Sequence, residues 1–409
     1  MQSQSASRPL DVGLLAWDYP PTGTGLATAA REVAESLTGR GHRVRAFVLD
    51  AQEDRTAGGV EVVGAGRWLD GRLRALRAEA GTGHLAAPIA LARAVRAAGP
   101  LDVVEATNWY APGACVPALG LPLVTRCSTP VSSTARISSP RDAFDVAAAV
   151  RLERCQARAS AGLASNTHHH ALKMASLYGV AGPGEAGVPH AVIGLSLPPG
   201  TATGLPAPPP GPPWRLLFVG RPSRRKGFDA VADAARVLGP RFELRLVGVE
   251  PDEGLPPGAV PLGRLPDEAL AAEMRAAHAV LAPSRYESFG LVYQEAIAAG
   301  RPLVACADDP AARAFVGGQG TGVLAAECTG AAVAAAVRAL FEAPARYEAA
   351  RDACAVARRR FSRQALGAET EALYRAVLQG RPAYGEKGVS SAASSPARAV
   401  SVEPADIAP

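Results

Sequence analysis

The run PPGTATGLPAPPPGPP at residues 198–213 constrains this chain more than any other feature. Proline lacks an amide hydrogen and fixes its own φ, so such a run enters neither a helix interior nor a central strand. It reads as a semi-rigid linker. The 409-residue chain is thereby split into two blocks, each long enough for a domain with its own core.

Each block alternates short apolar runs with helical patterns. Upstream, LDVGLLAW (10–17), VRAFVL (44–49), VEVVG (60–64), LDVVEA (101–106), LPLVTRC (121–127) and GLASN (162–166) read as strands. Downstream, WRLLFVG (214–220), FELRLVG (242–248), AVPLG (259–263), AVLAP (279–283), RPLVACA (301–307) and GVLA (322–325) do the same. Helices are expected at 145–161, 168–179, 226–238, 266–277 and 290–299, and onward to about 379. Uninterrupted apolar strands between helices imply parallel sheets covered on both faces. The expected class is α/β, with two Rossmann-like, doubly wound domains facing across a cleft at 9–197 and 214–364. Residues 1–8 and 381–409 are polar and small, and are expected to be disordered.

Composition narrows the partners. Six cysteines without a CxxC pair argue against a disulfide framework and against a zinc site. The net charge is +5 with only 5% aromatic residues, and no basic-aromatic cluster suggests nucleic acid. A mild basic excess suits an anionic small molecule or an anionic membrane surface. With no secretory leader pattern and no apolar stretch of about 20 residues, a cytoplasmic protein is expected.

Three segments carry chemistry. In PSRYESFGLVYQEAIAAGRPLVA (283–305), Glu287 and Glu295 flank a glycine at an expected helix start. The free amides of Phe289, Gly290 and Leu291, with the positive end of the helix dipole, suit a diphosphate. Glu295 lies at most about 12 Å along that axis, where a carboxylate can accept from ribose hydroxyls. Glu287, on the other side of the phosphates, can hold hydroxyls of a transferred sugar. In LLFVGRPSRRKGFD (216–229), a strand ends at Gly220, and Arg221 and Lys226 follow at its carboxyl end. These cations can neutralise a diphosphate leaving group. In DYPPTGTGLATAAREVA (18–34), Gly23 and Gly25 separate the first strand from its helix. The third glycine of a dinucleotide fingerprint is missing, so a flexible loop facing the cleft fits better than hydride transfer.

These residues resemble the family-4 retaining glycosyltransferases of GT-B fold, over roughly residues 10–380. Y-P-P with its glycine loop, G-R-x(4)-K-G and the E-x(7)-E string carry the resemblance. It implies that the N-terminal domain binds an acceptor hydroxyl, of a small molecule or a lipid-linked one. The C-terminal domain would bind a nucleotide-diphosphate sugar, with no metal or other cofactor required. Arg221 and Lys226 would contact the diphosphate, Glu287 the donor sugar and Glu295 the ribose. A last helix near 365–380 would cross back to the N-terminal domain. The implied reaction moves a hexose or N-acetylhexosamine with retention, forming an α-linkage. A GT-B epimerase or hydrolase, or a catalytically silent nucleotide-sugar binder, are the alternatives.

Some positions depart from the family pattern. Cys127 stands where relatives often carry histidine, and the loop after RPLVACA reads Asp308-Asp309-Pro310-Ala311-Ala312-Arg313. Asn108, Trp109 and Cys127 are expected to shape the acceptor pocket together with the glycine loop. His168-His169-His170 reads as a surface helix start rather than a metal site, because consecutive helical residues point to different faces. The basic amphipathic segment RWLDGRLRALRAEA (67–80) can pack on its own sheet or lie on an anionic membrane, giving peripheral contact at the inner face.

Overall fold

A computed structural model describes residues 8–21, 24–197, 210–251, 255–288 and 290–380. Most of the expected linker, 198–213, lies outside them, as do Gly23, Phe289 and the tail 381–409. Arg8, placed by the sequence in a disordered end, instead pairs with Asp102 at 2.5 Å.

Both blocks form the expected parallel α/β sheets. The first sheet holds β1 (Asp11–Ala16), β2 (Arg43–Val48), β3 (Arg55–Ala57), β4 (Val60–Gly64), β5 (Val103–Thr107), β6 (Leu123–Cys127), β7 (Gly162–Ser165) and β8 (His190–Val192). Their order is β3-β4-β2-β1-β5-β6-β7-β8. Val12 of β1 lies between Val44 and Val103, so the most apolar strand is the most central. Only β3, at the edge, runs antiparallel to its neighbour. Gly58 and Gly59 turn that hairpin with φ of +58° and +77°, the pair of positive values a two-residue primed turn demands.

The second sheet holds β9 (Trp214–Val219), β10 (Phe242–Val247), β11 (Val260–Gly263), β12 (Ala279–Ala282), β13 (Leu303–Cys306) and β14 (Gly322–Ala325). Their order is β11-β10-β9-β12-β13-β14. The strand order reverses between β1 and β5 in one sheet and between β9 and β12 in the other. Loops leaving a sheet at such a point part to opposite faces and open a crevice at the carboxyl edge.

The helix Arg363–Leu378 begins under Ser362, which accepts from the Ala365 amide at 3.2 Å. It packs along the helix Gly25–Thr38 of the first block. Tyr374 donates to Glu105 at 2.8 Å, and Arg126 holds the same carboxylate at 2.7 Å while also donating to Thr370. Arg363 grips Glu32 at 2.7 Å. One apolar cluster is continuous through both blocks, from Leu195 and Leu197 to Tyr293, Ile297, Phe361 and Leu373.

Candidate active site

The second sheet supplies one wall of the site at its β9/β12 reversal. After Gly220 the chain makes a short turn, Arg224–Lys226, and Gly227 then opens the helix Phe228–Leu238. Gly227 has φ of +70°, and a Cβ there would stand 2.1 Å from the Pro283 carbonyl oxygen. That contact lets the loop after β9 touch the loop after β12. Lys226 Nζ consequently reaches Glu287 Oε1 at 2.6 Å, and Arg225 reaches Oε2 at 3.3 Å and the Tyr286 carbonyl at 3.0 Å. Ser284 donates to Oε1 at 2.8 Å. Burial, at 8% exposure, pushes the Glu287 carboxyl up, but Lys226 and Arg225 outweigh it and hold it below the usual range. Two cations thus hold one carboxylate at this corner.

The helix Leu291–Ala298 begins beside it. Gly290, with φ of +82°, turns the chain into that helix, and a Cβ there would meet the Tyr293 ring at 2.3 Å. The Tyr293 amide donates to the Gly290 carbonyl at 2.9 Å, which leaves the Leu291 and Val292 amides at the helix start without an intrahelical acceptor. Glu295 is half-buried on this helix, and burial lifts its carboxyl to about 6, with Lys226 pulling the other way. Asp309 is fully buried beneath the loop. It accepts from the Glu287 amide at 3.1 Å and from Tyr293 OH at 2.7 Å, and burial lifts its carboxyl to about 6.

The first sheet supplies the other wall at its β1/β5 reversal. Tyr110 and Ala111 follow β5 with φ of +52° and +48°, a left-handed conformation that costs non-glycine residues about 1 kcal/mol or more. They are held there by Glu153, which accepts from the Tyr110 and Val131 amides at 3.1 Å each and from Tyr178 OH at 2.8 Å. Tyr178 also accepts from Asn108 at 2.8 Å, and Asn108 Oδ1 accepts from the Ser128 amide. The loops after β5 and β6 are thus tied through one buried network. Burial lifts the Glu153 carboxyl to about 7. In front of it, a pocket of about 430 Å³ is lined by Trp17, Trp109, Tyr110, His84, Arg77 and Arg141, among others.

The structure gathers Lys226, Glu287, Gly290, Leu291 and Glu295 at one corner, with Gly220 at the strand end beside them. A Cβ on Gly25 would lie 3.5 Å from Leu291 Cδ1, so the glycine loop of the first wall faces the helix start of the second. Gly23 and Phe289 lie outside the described residues. Arg221 is exposed, and no described residue bonds it; its neighbour Arg225 makes the inward contacts instead. Two expectations for the acceptor wall are corrected. Asn108 and Cys127 are both 0% exposed and line no cleft. Cys127 sits in a small apolar cluster with Ala157, Leu163, Met174 and Tyr178, where burial pushes its thiol up to about 12. Apolar neighbours on three elements win its side chain, while Asn108 is spent on tying loops together.

The histidine run is corrected too. Thr167 caps the helix His168–Tyr178, and the inward turn of that helix leaves His170 only 1% exposed. Its Nδ1 lies 2.8 Å from Tyr286 OH in the other block, and its Nε2 lies 3.2 Å from the Cys127 carbonyl. Helical periodicity separated the three histidines correctly but not which of them turns inward. Arg225, Ser284 and Asp309 were given no role by the sequence, although the first two stand inside the motifs above and Asp309 inside the loop 308–313. In the segment 67–80, Leu69 and Leu73 are buried in the core over β1 and β2, with Trp68 and Leu76 packed against it. Its apolar side is therefore occupied by its own domain. No group of three His, Cys, Asp or Glu side chains among the described residues is arranged to hold a metal. No helix among them is long and apolar enough to cross a membrane.

Comparison with known proteins places this geometry. Residues 24–184 match the family model for the glycosyl transferase 4-like domain, and residues 207–358 match that for glycosyl transferases group 1. The chain is 33% identical over 293 residues to D-inositol 3-phosphate glycosyltransferase 1 of Catenulispora acidiphila, covering 63% of this chain and 68% of that one. It is 34% identical over 185 residues to the glycogen synthase of Mycobacterium tuberculosis, covering 41% of this chain and 44% of that one. Among solved structures, sucrose-phosphate synthase from Thermosynechococcus elongatus superposes with a TM-score of 0.71 at 19% identity, over 90% of this chain and 99% of that one. At that identity the likeness speaks for the fold.

Proposed function

Because the chain belongs to the family-4-like group 1 glycosyltransferases, of GT-B fold, we propose that it moves a hexose or N-acetylhexosamine from a nucleotide-diphosphate sugar to an acceptor hydroxyl, with retention and an α-linkage. The observation that carries this reading is the convergence of Lys226 and Arg225 on Glu287, beside the start of the helix Leu291–Ala298. The diphosphate takes the helix start and the cations Lys226 and Arg225, with Arg221 at the rim. Glu287 holds hydroxyls of the sugar, and Glu295 accepts from the ribose.

The acceptor oxygen attacks the anomeric carbon as the carbon–oxygen bond to the β-phosphate breaks. Attack comes from the face the phosphate leaves, so the departing phosphate oxygen takes the acceptor proton and configuration is kept. Lys226 and Arg225 stabilise the charge that develops on that oxygen. They do the work a divalent cation does elsewhere, so the reaction is read as metal-independent. Closure of the two walls excludes water and limits hydrolysis. The acceptor enters by the pocket at Trp17, Trp109 and Tyr110, whose aromatic faces suit a ring with hydroxyls.

The test is calorimetric binding and thermal shift with UDP-, GDP-, ADP- and dTDP-glucose. Binding of one donor by wild type, lost in Lys226→Ala and Glu295→Ala, is the expected result. Folded protein that binds none of them sinks the reading.

A further inference from the structure

The residues on either side of Glu287 both bond across the cleft, and both bonds trace to one place. Tyr286 OH meets His170 Nδ1 at 2.8 Å, and His170 Nε2 meets the Cys127 carbonyl at 3.2 Å. Thr129 Oγ1 donates to Ser288 Oγ at 3.0 Å. Cys127 ends β6 and Thr129 lies two residues on, so one strand end of the first domain grips positions 286 and 288 of the second.

The protons in this bridge are set by its ends. A carbonyl only accepts, so Nε2 carries the hydrogen. A neutral imidazole then has a bare Nδ1, which accepts from the Tyr286 hydroxyl. Burial drives the imidazole down to about 4, so the neutral form is the working one. Lys173 Nζ lies 3.4 Å from the centroid of the Tyr286 ring and holds the ring from its face. Tyr286 therefore has its hydroxyl and its face fixed by the first domain, while its carbonyl is held by Arg225 of its own.

We infer that His170 and Thr129 are positioning residues that aim Glu287, so that the donor-sugar contact is complete only when the β6 edge is seated against residues 286–288. The inference rests on reading Glu287 as the donor-sugar contact. Its consequence is that the acceptor-side domain licenses the grip on the donor sugar, while the nucleotide can bind the second domain alone.

The test separates sugar from nucleotide. Dissociation constants are measured by calorimetry for UDP and UDP-glucose, or for whichever of the GDP, ADP and dTDP pairs binds wild type. The ratio of the two is the sugar's increment. Glu287→Gln is expected to abolish it. Tyr286→Phe and Thr129→Val are each expected to cut it about tenfold, the weight of one hydrogen bond at its upper range. The diphosphate alone is expected to bind as in wild type, which general loosening of the fold would not allow. His170→Ala combined with Tyr286→Phe is expected to lose no more than the worse single change, because both break the same bond. A full increment in Tyr286→Phe and Thr129→Val, beside its loss in Glu287→Gln, overturns the positioning role alone. Multiplying losses in the His170/Tyr286 pair overturn it as well. A full increment in Glu287→Gln, or no donor bound by wild type, removes the reading of Glu287 and this inference with it.

Discussion

On the second domain's wall, the buried Glu287 meets Lys226 at 2.6 Å and Arg225 at 3.3 Å. On the first domain's wall, the buried Glu153 meets no cation among the described residues and accepts instead from two amides and a hydroxyl. The same side chain, buried in both places, is driven in opposite directions. Glu287 is held below the usual carboxyl range, and Glu153 is lifted to about 7. The difference teaches that burial alone does not decide ionisation: a cation in reach does. One wall is built to hold charge and therefore to meet a charged ligand. The other is built to hold shape, fixing a strained turn at Tyr110 and Ala111 behind an aromatic pocket.

The severest way to break this contrast is to remove the charges. Lys226→Ala and Glu287→Gln are each expected to lower kcat/KM by about 10²–10³, the weight of one electrostatic contact to a developing charge. Wild-type kcat/KM in either variant, in a transfer assay with folded protein, would erase the distinction. Next comes the shape wall. Glu153→Ala strands two amides and a hydroxyl, and is expected to cost about 2–4 kcal/mol in urea unfolding. Glu153→Gln keeps an acceptor oxygen for the two amides and turns a donor toward the Tyr178 oxygen in place of the other acceptor, and is expected to cost less, about 1 kcal/mol.

Titration sharpens the same pair. The Glu153 carboxyl keeps its proton in the fold through a range where the unfolded chain, at about 4.5, has lost it. Its contribution to stability is therefore full below about 4.5, falls as pH rises, and is gone once pH has passed about 7. Glu295 and Asp309, both near 6, act with the same sign. His170, near 4 in the fold against 6.5 outside it, acts oppositely and loses its contribution as pH falls through that window. Subtracting the Glu153→Gln stability curve from the wild-type curve isolates the first effect, which is expected to fall between about pH 4.5 and 7. A flat difference curve contradicts it.

Two smaller changes probe each wall's geometry. Gly227→Ala puts a Cβ against the Pro283 carbonyl at a φ of +70°, and is expected to cost about 1–3 kcal/mol, read by urea unfolding, while weakening donor affinity. Trp109→Ala is expected to raise the acceptor KM about tenfold and leave donor affinity unchanged, since an aromatic face is worth about 1 kcal/mol. A change in donor affinity with Trp109→Ala would show that the walls are not separate in function.

The charged wall was far more legible in sequence than the neutral one. Lys226, Glu287, Gly290 and Glu295 lie in two short strings whose spacing carries its own chemistry. The sheets were legible for a related reason, because buried parallel strands are uninterrupted apolar runs. What stayed hidden was assembled from distant positions. Glu153, Tyr178 and Asn108 come from three elements, and none has a local pattern that sets it apart. Cys127 and His170 illustrate the same limit, since the side on which a residue sits depended on packing between helices rather than on its neighbours in sequence. The strand β3 was missed because three residues are too few to show a period.

The two domains are crossed by the chain twice, after Leu197 and again before Arg363, and the Leu197 amide donates to the Phe361 carbonyl at 3.2 Å where the crossings meet. A single crossing lets two bodies swivel as well as open, like a ball joint. Two crossings fastened to each other make a double tether, so any relative movement of the domains has to bend both together. His170 and Thr129 meet Tyr286 and Ser288 across the seam between the same two domains. A cut between residues 197 and 214 would also leave one crossing in place, so the nicked molecule should still open and shut as a unit.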